Sequence, residues 1–208
     1  MSDATLAASA TSATSATPDA QSTASGTTTA DSTTTPGVNR TPIAPAESVV
    51  DRLPTLEQLP DPQFVIATTG SRTAQELANA YADPVAHLRR LDEWGFVQHV
   101  YREFSSTAEA PDSAPNLVLT TINVYGSPEQ AQAALEWLNR FQTSIGAAEA
   151  AAPERGDAGV ALTVNTADGV PTASIYVRVG ETVHAFYVEG GDALAFASAV
   201  VESAIAAN

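Results

Sequence analysis

The sequence predicts an α+β domain: a single antiparallel sheet of about five to six strands, covered mainly on one face by helices and preceded by a disordered N-terminal tail. Two observations lead to this prediction. Strand-like and helix-like segments follow one another in the order β-α-α-β-β-α-β-β-β-α, and the last three strand segments are separated only by short turns. Strands joined by such short connections have to pair antiparallel, which is typical of an α+β architecture.

The first 46 residues have the composition of a linker. They are rich in alanine, serine and threonine, and the first aromatic residue of the chain is Phe64. Such a segment cannot bury enough apolar surface to offset roughly 1 to 2 kcal/mol of backbone entropy per ordered residue. We therefore predict that 1–46 is a disordered stalk or linker and that 47–208 is one domain.

The charge of the chain limits its partners. The formal net charge is −15, and all nine basic residues are arginine. Nucleic acids and anionic membranes both require clustered positive charge, so neither is expected as a partner. The partner is expected to be an unidentified protein or small molecule, and the chain is expected to be a monomer.

Three further absences limit the interpretation of the sequence, and the last two bear on localisation. The chain has no cysteine, and no apolar run approaches the length of a membrane span. Its first residues also lack the basic and apolar regions of a signal peptide. A stalk of this composition in front of a compact domain nevertheless favours an extracytoplasmic or cell-surface protein; a cytoplasmic protein with a disordered tail is the alternative.

Four helix starts are predicted from local signals. Thr73 followed by Glu76 forms a capping-box pattern, and Asp83, Ser127 and Asp192 are each suited to cap a helix. In the second of these helices Leu88, Leu91 and Trp94 form the predicted apolar stripe, which leaves His87 and its charged neighbours facing water. In the third, running to about residue 143, the inward residues are Ala131, Ala134, Leu135, Leu138 and Phe141.

Six strands are predicted from β-branched content and alternation. They are 64–68, 96–104, 117–125, 160–166, 172–179 and 182–188. Gly180 and Glu181 fit a two-residue turn between the last two. On the fifth strand, Ala173, Ile175, Val177 and Val179 are assigned to the core.

Two segments carry a resemblance to a known kind of domain. At 120–131 a strand runs directly into a helix with the sequence TTINVYGSPEQA, and 173–183 is a hairpin with the sequence ASIYVRVGETV. In this element order the chain resembles bacterial extracytoplasmic lipoprotein and sensor-type domains of the PsbP-like α+β kind. The resemblance implies a non-enzymatic binding module on a tether, and it implies no site residues.

No catalytic, metal-binding or cofactor-binding motif stands out. The three histidines form neither an i, i+4 pair nor a cluster in the sequence, and there is no GxSxG, GxGxxG or Walker pattern. Gly190 and Gly191 before Asp192 suggest an anion-binding helix start, but the aspartate is better explained as the cap. We therefore predict no cofactor and no enzymatic activity.

One group of residues is predicted as an interaction patch. These side chains combine aromatic rings with hydrogen-bonding groups, the composition of interaction hot spots. They are His99, Tyr101, Tyr176, Arg178 and His184. Ordinary solvent-facing strand residues are the alternative explanation.

The functional prediction is a non-enzymatic, extracytoplasmic binding or sensor-like domain of unknown ligand. Two rivals remain open: a small enzyme whose site is assembled only in three dimensions, and a structural component of the cell envelope. A pocket of convergent histidine, arginine and carboxylate groups would favour an enzyme.

Overall fold

The computed structural model describes residues 48–107 and 114–206. The predicted stalk lies outside the described residues, so its disorder and the domain boundary at residue 47 stay predictions. Most of the connection predicted between the second and third strands also lies outside them.

The described residues contain one seven-stranded antiparallel sheet, which confirms the α+β class and exceeds the predicted number of strands. The strands are β1 (Phe64–Arg72), β2 (Gln98–Ser106), β3 (Pro115–Val124), β4 (Ala148–Ala150), β5 (Ala158–Asn165), β6 (Pro171–Val179) and β7 (Thr182–Gly190). Their order across the sheet is β1-β2-β3-β7-β6-β5-β4. The additional strand, β4, has only three residues, too few for alternation to indicate a strand.

Two meanders meet in the middle of the sheet. Strands β1 to β3 run from one edge to the centre, and strands β4 to β7 run from the other edge back to it. They join where β3 pairs with β7, for example at Ile122 opposite His184. Gly180 has a φ of 57° in the tight turn between β6 and β7, as the predicted turn requires.

Four α-helices lie in the part of the chain that the structure describes, and each begins at the predicted cap. They are α1 (Ala74–Ala78), α2 (Pro84–Glu93), α3 (Pro128–Ser144) and α4 (Ala193–Ala204). The caps Thr73, Asp83, Ser127 and Asp192 all accept a backbone N–H of the first turn through their side chains. Local signals were sufficient here because a cap bonds only to residues a few positions away.

Helices cover both faces of the sheet, so the prediction of cover mainly on one face is wrong. Ile175 of β6 packs in the core beneath α4, whereas its neighbour Tyr176 packs in the core beneath α3. Successive side chains of a strand point to opposite faces, so α3 and α4 lie on opposite sides. We call these two sides the α3 face and the α4 face.

The segment before β1 also packs on the α4 face. It contains two 3-10 helices, Val49–Arg52 and Leu56–Gln58. Leu53 is buried against Val100 and Ile122, and Arg102 of β2 donates to the carbonyl oxygen of Pro54 over 2.7 Å.

Candidate ligand-binding cleft

The predicted patch residues do not form one exposed surface. His184 lies on the α4 face, since it shares the parity of Phe186 and Val188 beneath α4. Tyr176 and Tyr101 lie on the α3 face, in strands three positions apart in the sheet. At about 4.8 Å per strand, that separation is about 14 Å.

Tyr176 is buried beneath α3, and Arg178 is bound by side chains of α3 and of a neighbouring loop. Tyr176 is 8% exposed, and its hydroxyl accepts a hydrogen bond of 3.4 Å from Gln142. Arg178 donates from Nε to Gln132 Oε1 over 3.0 Å and pairs with Asp157 at 3.1 Å. Because these groups already have protein partners, they attach α3 and the loop between β4 and β5, which carries Asp157, to the sheet.

The two strand histidines are also buried. His184 Nε2 lies 3.1 Å from Thr182 Oγ1 and 3.4 Å from Arg52 Nη2, and burial lowers its pKa to about 4. His99 is 4% exposed, with Nδ1 2.9 Å from Asn123 Oδ1 and a pKa lowered by burial. Tyr101 is partly exposed, so of the five it is the best placed to meet a partner, and that role stays a prediction.

A cluster of aromatic rings lies instead between the α1–α2 segment and α3. Trp137 stacks on Phe141 with centroids 4.9 Å apart, and it also contacts Trp94 at 5.5 Å and Tyr81 at 5.8 Å. His87 stacks on Tyr81 with centroids 3.6 Å apart. The α1–α2 segment is therefore held to α3 by rings from both sides.

The burial of His87 corrects the prediction that it faces water. The residue is 4% exposed, and its Nδ1 has no hydrogen-bond partner among the described residues. Burial, with Arg90 as a second cause, lowers the pKa of His87 to about 4. His87, Leu91 and Trp94 follow the i, i+4, i+7 spacing of a buried helix face, a signal that the sequence already carried.

The same cluster borders an open cleft of about 430 Å³. Its lining consists of Tyr81, Ala82 and Asp83 before α2, Arg90 on α2, and Trp137, Arg140, Phe141 and Ser144 on α3. Three of these side chains are aromatic, and the volume lies in the usual range of small-molecule sites. Burial raises the pKa of Tyr81, so its phenol stays neutral and can act as a hydrogen-bond donor.

The charged groups of the cleft differ in how far they are already bound. Asp83 Oδ1 accepts the backbone N–H of Ala86 at the start of α2. Arg140 pairs with Glu136 at 3.7 Å on the helix surface. Arg90 lies over the Trp137 ring at 5.1 Å and makes no ion pair or hydrogen bond with any residue that the structure describes. No residue in 48–107 or 114–206 therefore competes with a ligand for its N–H groups.

A second cavity, of about 310 Å³, lies at the start of α4. Asp192 lines it and accepts the N–H of Ala195 over 3.2 Å, which agrees with its predicted role as a cap. A carboxylate in this place disfavours an anion at the helix start. The cleft between α2 and α3 is therefore the better candidate site.

Sequence reasoning missed this cleft. It treated Arg90 as a solvent-facing charge and Phe141 as part of the sheet-facing stripe, and it did not place Tyr81 next to Trp137. The one available signal was the i, i+4 pair of Trp137 and Phe141, two large rings beside the alanine-rich stripe of α3.

Neither a clustered metal site nor a membrane-spanning helix occurs among the described residues. In 48–107 and 114–206 there is no group of three histidine, cysteine, aspartate or glutamate side chains that could hold a metal ion. Within the same part of the chain, every helix is too short or too polar to cross a bilayer.

A solved structure resembles the fold of this chain. No protein-family model and no curated protein matches the chain. The extracellular domain of PknH from Mycobacterium tuberculosis is similar in structure, with a TM-score of 0.47, 11% sequence identity, and coverage of 79% of this chain and 97% of that domain. We transfer no residue role from it, and the resemblance to PsbP-like domains stays a prediction.

Proposed function

We propose that this protein is a non-enzymatic binding domain held outside the cytoplasm by its N-terminal stalk, and that the cleft between α2 and α3 is its ligand site. The carrying observation is the wall of Tyr81, Trp137 and Phe141, three rings that border one cleft of about 430 Å³. Large flat side chains with few internal degrees of freedom lose little entropy when they hold a ligand.

The rings favour a ligand with a flat apolar part. Trp137 is only half-buried although it is one of the largest side chains of the domain, so part of its surface lies open in the cleft. Stacking on such a ring contributes about 0.5 to 1.5 kcal/mol beyond the burial of apolar area.

The distribution of the histidines favours binding over catalysis. His87 lies in the aromatic cluster, His99 on the α3 face and His184 on the α4 face. A general base has to lie within hydrogen-bond reach of the group that it deprotonates, and these three residues do not converge on one pocket. The extracytoplasmic location is supported by the composition of the stalk alone.

Nuclear magnetic resonance of the two tryptophan indoles tests the site. The chain has two tryptophans, so a proton–nitrogen correlation spectrum has two indole signals, which Trp94→Phe assigns. Cinnamate and its neutral amide, cinnamamide, are suitable flat probes. We expect at least one of them to shift the Trp137 signal with a Kd on the order of 1 mM, as is usual for ligands of this size.

Two variants make this test specific. Trp137→Leu removes a wall of the cleft and should weaken probe binding about three- to tenfold. Because this variant lacks the Trp137 signal, its affinity is measured from the nuclear magnetic resonance signals of the probe. Tyr101→Leu removes a ring on the same sheet face outside the cleft and should leave binding unchanged. Equal affinities for the wild type and Trp137→Leu, or no perturbation of Trp137 by either probe at millimolar concentration, would overturn the proposal.

A further inference from the structure

We infer that the cleft selects an organic anion, with Arg90 binding a carboxylate or similar oxyanion while the rings hold an apolar body. The inference rests on the proposed function, since it concerns the ligand of the same cleft. The ligand is then negatively charged, and Arg90 is the residue that selects for this charge. Neither statement follows from the aromatic wall alone.

Arg90 is held in place without an N–H bond to any residue that the structure describes. Its guanidinium carbon lies 5.1 Å from the centroid of Trp137, an arrangement that orients the planar group against the ring. Five N–H donors belong to this side chain, and no described residue accepts from them. Their free edge matches the two oxygens of a carboxylate.

Two of the other three partly buried arginines, Arg102 and Arg178, differ in this respect. Arg102 donates to the carbonyl oxygens of Leu53 and Pro54, and Arg178 donates to Gln132 and Asp157. These two arginines bind together parts of the domain. Arg90 lines a cleft instead, and among the residues that the structure describes its guanidinium contacts the ring of Trp137 without donating a hydrogen bond.

The net charge of the lining points the same way. The cleft has two cations, Arg90 and Arg140, and one carboxylate, Asp83, so its side chains carry a formal charge of +1. This occurs in a chain of formal charge −15. The pair of Arg140 with Glu136 is exposed and is therefore weak, so Glu136 offsets little of the positive charge of Arg140.

The volume of the cleft and the acidity of the domain limit the size and charge of the ligand. A cleft of about 430 Å³ suits a small molecule with one flat or apolar group and one oxyanion. The acidic character of the domain as a whole disfavours a highly charged polyanion. We therefore commit to a small amphipathic anion.

The test compares cinnamate with cinnamamide, which have nearly the same shape and differ in charge. In the wild-type protein the carboxylate should bind about tenfold more tightly than the amide, because it accepts charge-assisted hydrogen bonds. In Arg90→Gln this preference should fall to about one, with the amide affinity unchanged. Arg90→Lys keeps the charge but loses the two-pronged geometry, so its preference should be intermediate.

Arg72→Gln is the matched control. Arg72 lies over the ring of Tyr101 at 4.8 Å, the same kind of contact at a place that lines no part of this cleft. Its replacement should leave the preference for carboxylate intact. Circular dichroism and a cooperative thermal unfolding transition confirm that each variant is folded.

The outcomes separate this inference from the proposed function. If both probes bind to the wild type with equal affinity, or if Arg90→Gln retains the preference, the assignment of Arg90 is wrong while the aromatic cleft still binds. If neither probe perturbs Trp137, the proposed function itself fails.

Discussion

Replacement of His87 by phenylalanine is expected to stabilise the domain at neutral pH and to reduce its sensitivity to acid. His87 is almost fully buried between the rings of Tyr81, Trp94 and Trp137. Its Nδ1 atom has no hydrogen-bond partner among the described residues. A buried polar atom without a partner costs about 1 to 3 kcal/mol, and phenylalanine removes it while keeping a ring that can stack on Tyr81.

The expected gain is smaller than that cost, because phenylalanine is slightly larger than histidine and the rings around it must adjust. We expect the free energy of unfolding at about pH 7.5 to rise by about 1 kcal/mol, which corresponds to about 2 to 4 °C in Tm for a domain of this size.

The effect of pH follows from the lowered pKa. Burial lowers the pKa of His87 to about 4 in the folded protein, whereas the unfolded value is about 6.5. As the pH falls below about 6.5, the unfolded chain takes up the proton first, so the wild type loses stability until the pH nears 4. The loss from this residue should be about 2 to 3 kcal/mol, and the phenylalanine variant should be free of it.

Chemical denaturation at about pH 7.5 and about pH 4.5, followed by circular dichroism, measures both effects. His184→Phe is the contrasting variant: its pKa is also lowered to about 4, but its ring is bonded to Thr182 and Arg52. It should lose stability at neutral pH because those groups lose their partner. If His87→Phe is destabilised at neutral pH as strongly as His184→Phe, and keeps the wild-type pH dependence, the reasoning about His87 is refuted.

Three further predictions concern stability, each measured by thermal or urea denaturation. Deletion of 1–46 should leave Tm within about 5 °C of the full chain; a larger drop would show that the tail packs on the domain. Leu135→Ala should cost about 2 to 5 kcal/mol, and Leu138→Ala less, because Leu135 is 2% exposed and Leu138 is half-buried; equal costs would contradict the observed phase of α3. The double change Tyr176→Ala with Arg178→Ala should destabilise the domain by more than about 3 kcal/mol, since it removes a buried ring and breaks the bonds to α3. Unchanged stability would instead support the exposed patch that was predicted from the sequence.

The elements that the sequence predicted well depend on neighbours in the chain. Asp83 and Ser127 cap their helices through bonds to residues three positions later. The turn at Gly180 is also local, as is the pairing of β6 with β7 that it directs. Each of these features is specified by the same short stretch of residues that adopts it.

The faces of the strands could not be predicted in the same way. Alternation on β6 assigned Ile175 to the core and Tyr176 to solvent, on the assumption that one face of the sheet is wet. In the structure β6 is covered by α4 on one side and by α3 on the other, so both residues are buried. Which helix returns over which face depends on how the chain crosses from β3 to β4, and no short pattern encodes that crossing.

The cleft depends on such a long-range arrangement as well. At about 100° per residue, Trp137 and Phe141 lie about 70 to 110° round α3 from the centre of its sheet-facing stripe. A helix that packs only on a sheet needs no large rings on that flank, so their presence implies a second neighbour beside α3. The structure identifies this neighbour as the α1–α2 segment, which brings Tyr81 and His87 against Trp137. Because the rings close most of this contact but leave part of Trp137 open beside Arg90, the contact that holds the segment in place also forms the wall of the proposed site.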